Sequence, residues 1–235
     1  MKTEERVRAI VRTLKRRYTH TFYATLDPFP VLITTVLSQR TMDIVTFPVA
    51  NILLKRYPTA AELAKAKRSD VERIIRPIGF YRQKASRIIR IAQDILVRFK
   101  GRVPDDAGRL LTLDGVGRKT ANCVLAYSFG KAAIAVDTHV HRISNRLGLV
   151  DTATPLETER ALERIVPEAL KKDINWLLVR HGQETCRPIG PRCDVARVGW
   201  CGSLRATGGL RQTPSRGRAQ GGALHGAGHE WTTPR

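Results

Sequence analysis

One ten-residue stretch constrains this chain more than any other: Leu113-Asp114-Gly115-Val116-Gly117-Arg118-Lys119-Thr120-Ala121-Asn122. Two glycines two residues apart permit a backbone with positive φ and the close approach of a second molecule. The apolar positions Ala121, Val124, Leu125 and Phe129 continue as one face of a helix. The stretch is therefore a tight turn opening directly into a helix. The first amides of such a helix lack intrahelical acceptors and offer a seat for an anion such as a phosphate. Lys119 falls in that first turn, at the positive end of the helix dipole. There an amine is expected to lose its proton more easily than in water, which suits a nucleophile. A glycine turn followed by a solvated lysine is the plainer reading of the same residues.

The charge agrees with an anionic partner. Lys and Arg number 41 against 21 Asp and Glu, a formal charge of +20. Nucleic acid is the first partner this suggests and an acidic membrane surface the second, while a basic surface adapted to heat or salt is the alternative. With 235 residues, 42% of them hydrophobic, the chain can form one or two modest domains with a real core. No signal pattern opens the chain and no apolar run reaches the length of a membrane span. A soluble intracellular protein is expected, and in that setting cysteines are thiols or metal ligands rather than disulfides.

Helical periodicity runs through most of the chain. Val7, Ile10, Val11, Leu14 and Tyr18 share one face of a first helix. Asp27-Pro28 breaks the chain before a buried helix containing Val31, Leu32, Ile33, Val36 and Leu37. The segment from Asp43 to Tyr57 reads as helix, with Pro48 giving a kink or a late start. Thr59 to Glu62 and Ser69 to Glu72 each have the pattern of a capping box, and Thr154 to Glu157 adds a first-turn proline. A longer helix follows Phe80-Tyr81, with Ala85, Ile88, Ile89, Ala92, Ile95 and Phe99 on one face. Gly130 is a natural helix stop, Ala132 to Val136 is too short an apolar run to assign, and a last helix carries Trp176 to Val179 and ends at His181-Gly182. Asp137 is a good N-cap for the helix carrying Val140 and Ile143. No strand alternation occurs, so the fold class is all-α.

The glycine hairpin resembles the helix-hairpin-helix of the endonuclease III family of DNA glycosylases, whose motif runs L-P-G-V-G-R-K-T-A. It differs only at Asp114, where the family usually has Pro. Val136-Asp137-Thr138-His139-Val140 follows at the family's distance, and the resemblance spans about Tyr18 to Cys201. It implies two lobes. Residues 22–130 would form a six-helix domain, and 1–21 with 131–202 would form a second, with a DNA-binding groove between them. The implied chemistry is base-excision repair by a bifunctional glycosylase and abasic-site lyase, with Lys119 as nucleophile and Asp137 as the charge-stabilising carboxylate. The implied partner is double-stranded DNA carrying a damaged base or an abasic site, bound by a monomer. Gln39 or Arg40 would fill the gap left by a flipped nucleotide, although the loop around them also reads as a plain helix end. Tyr81 and Lys84 would lie beside the DNA, with a half-buried helix start the alternative for Tyr81. Gly115, Gly117, Arg118 and His139 complete the implied contact set. A mismatch-directed thymine or uracil glycosylase shares the fold, and a non-catalytic hairpin protein would need neither Lys119 nor Asp137.

The family also has a [4Fe–4S] loop of the form C-x6-C-x2-C-x5-C, and such a cluster takes four ligands. Here Cys186 and Cys193 keep the first spacing, Ala196 stands at the third position, and Cys201 follows. These three could hold a cluster with a fourth ligand of another kind, bind zinc, or bind nothing. Cys123, within the hairpin helix, reads as a small buried hydrophobe. From Ser203 to Arg235 the chain has seven Gly, five Arg, no Lys and one Glu, a composition for which disorder is the expectation. A shifted reading frame from about Ala196 would produce the same break. Without that tail the chain still has 36 basic and 20 acidic residues, a charge of +16.

Overall fold

The computed structural model describes residues 3–18 and 26–192. Cys193, Ala196, Cys201 and the 203–235 tail, with the expectations made for them, lie outside the described residues. Every regular element is helical: α1 Thr3–Arg17, α2 Pro28–Ser38, α3 Asp43–Arg56, α4 Ala60–Ala64, α5 Arg68–Ile74, α6 Tyr81–Phe99, α7 Ala107–Leu111, α8 Arg118–Phe129, α9 Thr138–Arg146, α10 Pro155–Ile165 and α11 Lys171–Glu184, with a 3₁₀ turn Glu168–Leu170 before α11. None of the described helices is long and apolar enough to cross a membrane.

Two hydrophobic cores divide these helices. One gathers buried side chains from Phe29 to Ala133, among them Leu32, Leu37, Leu53, Ile88, Ile95 and Val124. The other joins α1, through Val7, Ile10, Val11, Leu14 and Tyr18, to residues from Ile134 to Cys186. Seven helices, α2 to α8, build the first core, one more than the six expected, because the arm before the hairpin turn forms the five-residue α7. Burying a Leu or Ile side chain completely is worth about 1.5–3 kcal/mol, so each core is a substantial body.

Local signals account for most helix ends. Thr59 and Glu62 form a reciprocal capping box, and Asp27, Asp106, Asp137 and Thr154 each cap a helix through a side-chain oxygen. The box expected at Ser69 does not form. Glu72 is held instead by Arg68 at 2.6 Å, and α5 starts two residues earlier with no side-chain cap. Pro48 lies inside α3 on its exposed side, where the carbonyl it leaves without a helix donor can be hydrated. Gly182 does not end the last helix, which runs on to Glu184. It serves packing: a Cβ there would overlap His139 and crowd Ile143, so the absent side chain lets α9 and α11 approach.

Between α8 and α9, residues 131–137 form no regular element, yet Ala133 to Val136 are all buried. Buried carbonyls need partners, and asparagines supply two. Asn122 donates to Ile134 O at 2.9 Å, and Asn175 to Ala135 O at 2.7 Å. The Tyr127 hydroxyl donates in turn to Asn175 Oδ1. The connector carrying Asp137 is thereby fastened to both α8 and α11.

Candidate active site and DNA-facing surface

The hairpin is α7, a turn and α8. The Val116 amide donates to Leu113 O at 3.1 Å, with Gly115 at φ +70° inside that four-residue turn. Such a φ at the third position is that of a type II turn and is why glycine stands there. Gly117 begins α8 with no side-chain cap, and the space beside it is open. The first amides of α8 are therefore uncapped at an exposed surface, as an anion seat requires.

Lys119 sits one residue into α8, half-buried, and among the described residues its amine makes no hydrogen bond or ion pair. Its pKa is raised above the ordinary lysine value by Cys123 one turn on and by the Asp137 and Asp43 carboxylates, against burial, which lowers it. This reverses the sequence expectation of an easily lost proton. Cys123 is itself buried, which pushes its thiol up, so near neutral pH it is uncharged. There the contest lies between burial and the two carboxylates. The helix dipole acts over a fraction of a charge, whereas each carboxylate is a whole one.

Asp137 caps α9 by accepting from the Val140 amide at 2.9 Å. Asp43, at the start of α3, accepts from Gln183 of α11 at 3.1 Å. Nothing in the pattern around Asp43 singles it out, because an acidic residue in a first helical turn is its only local signal. His139 is half-buried, and its Nδ1 accepts from Arg142 at 3.2 Å. Burial lowers its pKa, with Asp137 opposing and Arg142 assisting, so a neutral imidazole is favoured.

Two expected DNA contacts are occupied by the protein itself. Lys84 is only 3% exposed. Its ammonium donates to Leu37 O at 2.7 Å, to Gln39 O, and to Thr41 Oγ1 at 3.1 Å. Lys84 ties down the end of α2, and burial and the nearby Arg87 lower its pKa to about 8. Arg118 is exposed, but its guanidinium binds Glu159 of α10 through both Nε, at 2.9 Å, and Nη2. Its first partner is a buried carboxylate of the other core rather than a phosphate.

Gln39 donates to Gly115 O at 2.9 Å, joining the α2 loop to the hairpin turn. Arg40 is exposed, in the left-handed region at φ 55°, with its guanidinium 5.8 Å from the centre of the Phe80 ring. Phe80 is also left-handed, at φ 59°, and 56% exposed. An exposed aromatic held in such a backbone is a surface feature with no periodic signal in the sequence. Tyr81 next to it is half-buried against the first core, under Arg82.

Residues 33–168 match the model of the HhH-GPD superfamily base excision DNA repair protein. Endonuclease III of Thermotoga maritima is 51% identical over 191 residues, covering 81% of this chain and 87% of that one. The chain belongs to the endonuclease III family. The family's fold recurs in the solved structure of a trapped endonuclease III–DNA covalent intermediate, at 32% identity and a TM-score of 0.78, covering 88% of this chain and all of that one. A thermostable thymine-DNA glycosylase is similar at 26% identity and a TM-score of 0.76, covering 87% and 99%.

In this endonuclease III family member, Cys186 is buried, and its Sγ accepts from Arg146 at 3.5 Å. Among the described residues no three His, Cys, Asp or Glu side chains gather as a metal site. Cys123 is buried within α8. Cys186, Cys193 and Cys201 are thus three thiols where a cubane cluster takes four ligands, and a four-thiolate cluster does not fit this donor set.

Proposed function

We propose that Lys119 and Asp137 carry out glycosylase and abasic-site lyase chemistry on damaged DNA, with a damaged pyrimidine as the base removed. The observation that carries this reading is the lysine amine without a hydrogen bond or ion pair among the described residues, in the open first turn of the hairpin helix and within the field of Asp137. The uncapped α8 amides would hold a phosphate, with Gly115 and Gly117 giving the backbone room to approach. Arg40 and Gln39 would fill the space of the extruded nucleotide, with Phe80 and Tyr81 beside them and neutral His139 at the sugar side.

Lys119 Nζ attacks C1′ of the sugar, and the base departs with the electron pair of the glycosidic bond. The amine is held as an ammonium at rest, so attack requires its proton to leave. That proton passes to the departing base, while the Asp137 carboxylate stays ionised and stabilises the positive charge developing on the sugar. The C1′–O4′ bond then breaks, O4′ taking a proton from the attached amine, and the Schiff base so formed acidifies C2′ for the β-elimination that expels the 3′ phosphate. No step is routed through a cluster. A mismatch thymine glycosylase is the second reading, favoured by the likeness in fold to the thermostable thymine-DNA glycosylase; a lysine at position 119 favours the first.

Borohydride reduction tests the reading directly. Wild-type protein should be trapped covalently on abasic-site duplex, and Lys119→Gln should bind the same duplex without trapping. Equal trapping of both proteins would assign the nucleophile to another amine.

A further inference from the structure

The second position of the hairpin turn is one where proline is favoured, because its ring presets φ. Asp114 stands there, and among the described residues its amide has no backbone acceptor. Proline's missing donor would therefore cost nothing at this site. The aspartate does something else. Its Oδ2 binds Arg90 Nη2 and lies 3.7 Å from Arg87 Nε. That Arg87 nitrogen is buried and has no hydrogen-bond partner. Arg87 also lies across the turn so closely that a Cβ on Gly115 would overlap it.

Both arginines belong to α6, which also carries Lys84. Spacings of three place Lys84, Arg87 and Arg90 along one side of that helix. The row acts on both DNA-facing loops. Lys84 holds the carbonyls of Leu37 and Gln39, and Arg87 and Arg90 hold the hairpin turn. Gln39 closes the circuit by donating to Gly115 O.

We propose that Asp114 is a positioning residue: clamped by Arg90 and Arg87, its carboxylate seats the hairpin turn on α6 and so fixes where the uncapped amides of α8 meet a phosphate. A side-chain clamp replaces the covalent restraint of a proline. The proposal rests on the DNA-binding role of the hairpin set out above.

The sign of one substitution separates this role from simple electrostatics. A carboxylate beside an anion seat repels DNA, so charge alone makes Asp114→Asn bind more tightly. A clamp makes it bind more weakly. Affinity for an abasic-analogue duplex is measured by fluorescence anisotropy, and kcat and KM by cleavage of an abasic-site duplex. Asp114→Asn should weaken affinity and raise KM about threefold, the size expected of partly exposed ion pairs, with kcat unchanged. Asp114→Pro should restore both values. Arg90→Gln should lose less affinity in the Asp114→Pro background than in wild type, because the clamp is no longer needed there. Tighter or equal binding by Asp114→Asn overturns the proposal, as does Asp114→Pro behaving like Asp114→Asn. Wild type that fails to cleave abasic DNA defeats the functional reading, while the anisotropy series still decides the clamp.

Discussion

The hairpin turn and the loop after α11 are each tied down by two arginines from a neighbouring helix, but the arginines grip different things. At the hairpin, Arg87 and Arg90 of α6 hold one carboxylate, Asp114. At the loop, Arg142 and Arg146 of α9 hold backbone. Arg142 donates to Cys186 O at 3.0 Å, and Arg146 to Arg187 O at 2.6 Å and Pro188 O at 2.9 Å. A clamp on a side chain depends on which residue the turn carries. A clamp on carbonyls is blind to sequence, because every residue has one. The loop's base can therefore keep its shape while its cysteine spacing departs from the family's, whereas one substitution at the hairpin alters its hold.

The largest test of that difference sets chemistry against scaffolding. Lys119→Gln in the hairpin helix should abolish borohydride trapping, while Cys186→Ser in the loop should trap like wild type. Loss of trapping in Cys186→Ser with the fold intact would give the loop a part in the reaction. The second test divides α9, which belongs to both regions. Asp137→Asn at its first turn should slow base excision by ~10²-fold or more, with DNA affinity kept and cleavage of a preformed abasic site less affected. Arg146→Met at its other end should leave the excision rate of folded protein unchanged and lower stability by about 1–2 kcal/mol, as expected for lost charge-assisted bonds to carbonyls. Chemical denaturation gives that number, and a fall in excision matching that of Asp137→Asn would remove the division.

Salt gives a third test. Each phosphate neutralised contributes roughly −0.9 to the slope of log affinity against log salt, and a slope on the order of −4 or steeper is expected for this basic body. Asp114→Pro should flatten it slightly, since a screened clamp no longer adds to the loss. A flat wild-type response would remove nucleic acid as the partner. The smallest effect concerns Lys84. Its pKa is lowered from 10.5 to about 8 by burial and Arg87. Between those values the unfolded chain binds a proton that the folded protein does not, so the Lys84 contribution to stability rises with pH across that window. Wild type compared with Lys84→Met should therefore gain relative stability from pH 8 to pH 10.5; a relative loss over that range would refute the assignment.

Much of the fold was legible because its signals are local. The faces of α1, α2 and α6, the box at Thr59 and the cap at Asp137 depend on residues within a turn or two. The hairpin was legible for the same reason. Long-range partners were not. Lys84 has the composition of a surface lysine, and only two carbonyls and a hydroxyl 43 to 47 residues away give its buried amine partners. Arg118 meets Glu159 across 41 residues. Asp43 joins the field at Lys119 from a distant part of the sequence, beyond the reach of any helical period. The rise at Lys119 has a local first cause, the Cys123 thiol one turn on, to which the Asp137 and Asp43 carboxylates add.

The pinned connector between α8 and α9 has a mechanical consequence. Lys119 stands on a helix of one core and Asp137 opens a helix of the other. Any change in the angle between the two bodies would therefore be read out as a change in the gap from amine to carboxylate. Asn122 and Asn175 act as the stops on that hinge, one set in each body. Loosening either stop leaves both reacting groups intact but gives the gap between them play, and the stabilisation a carboxylate lends a developing charge falls as that gap widens. Such an enzyme would fail by losing calibration rather than by losing a part.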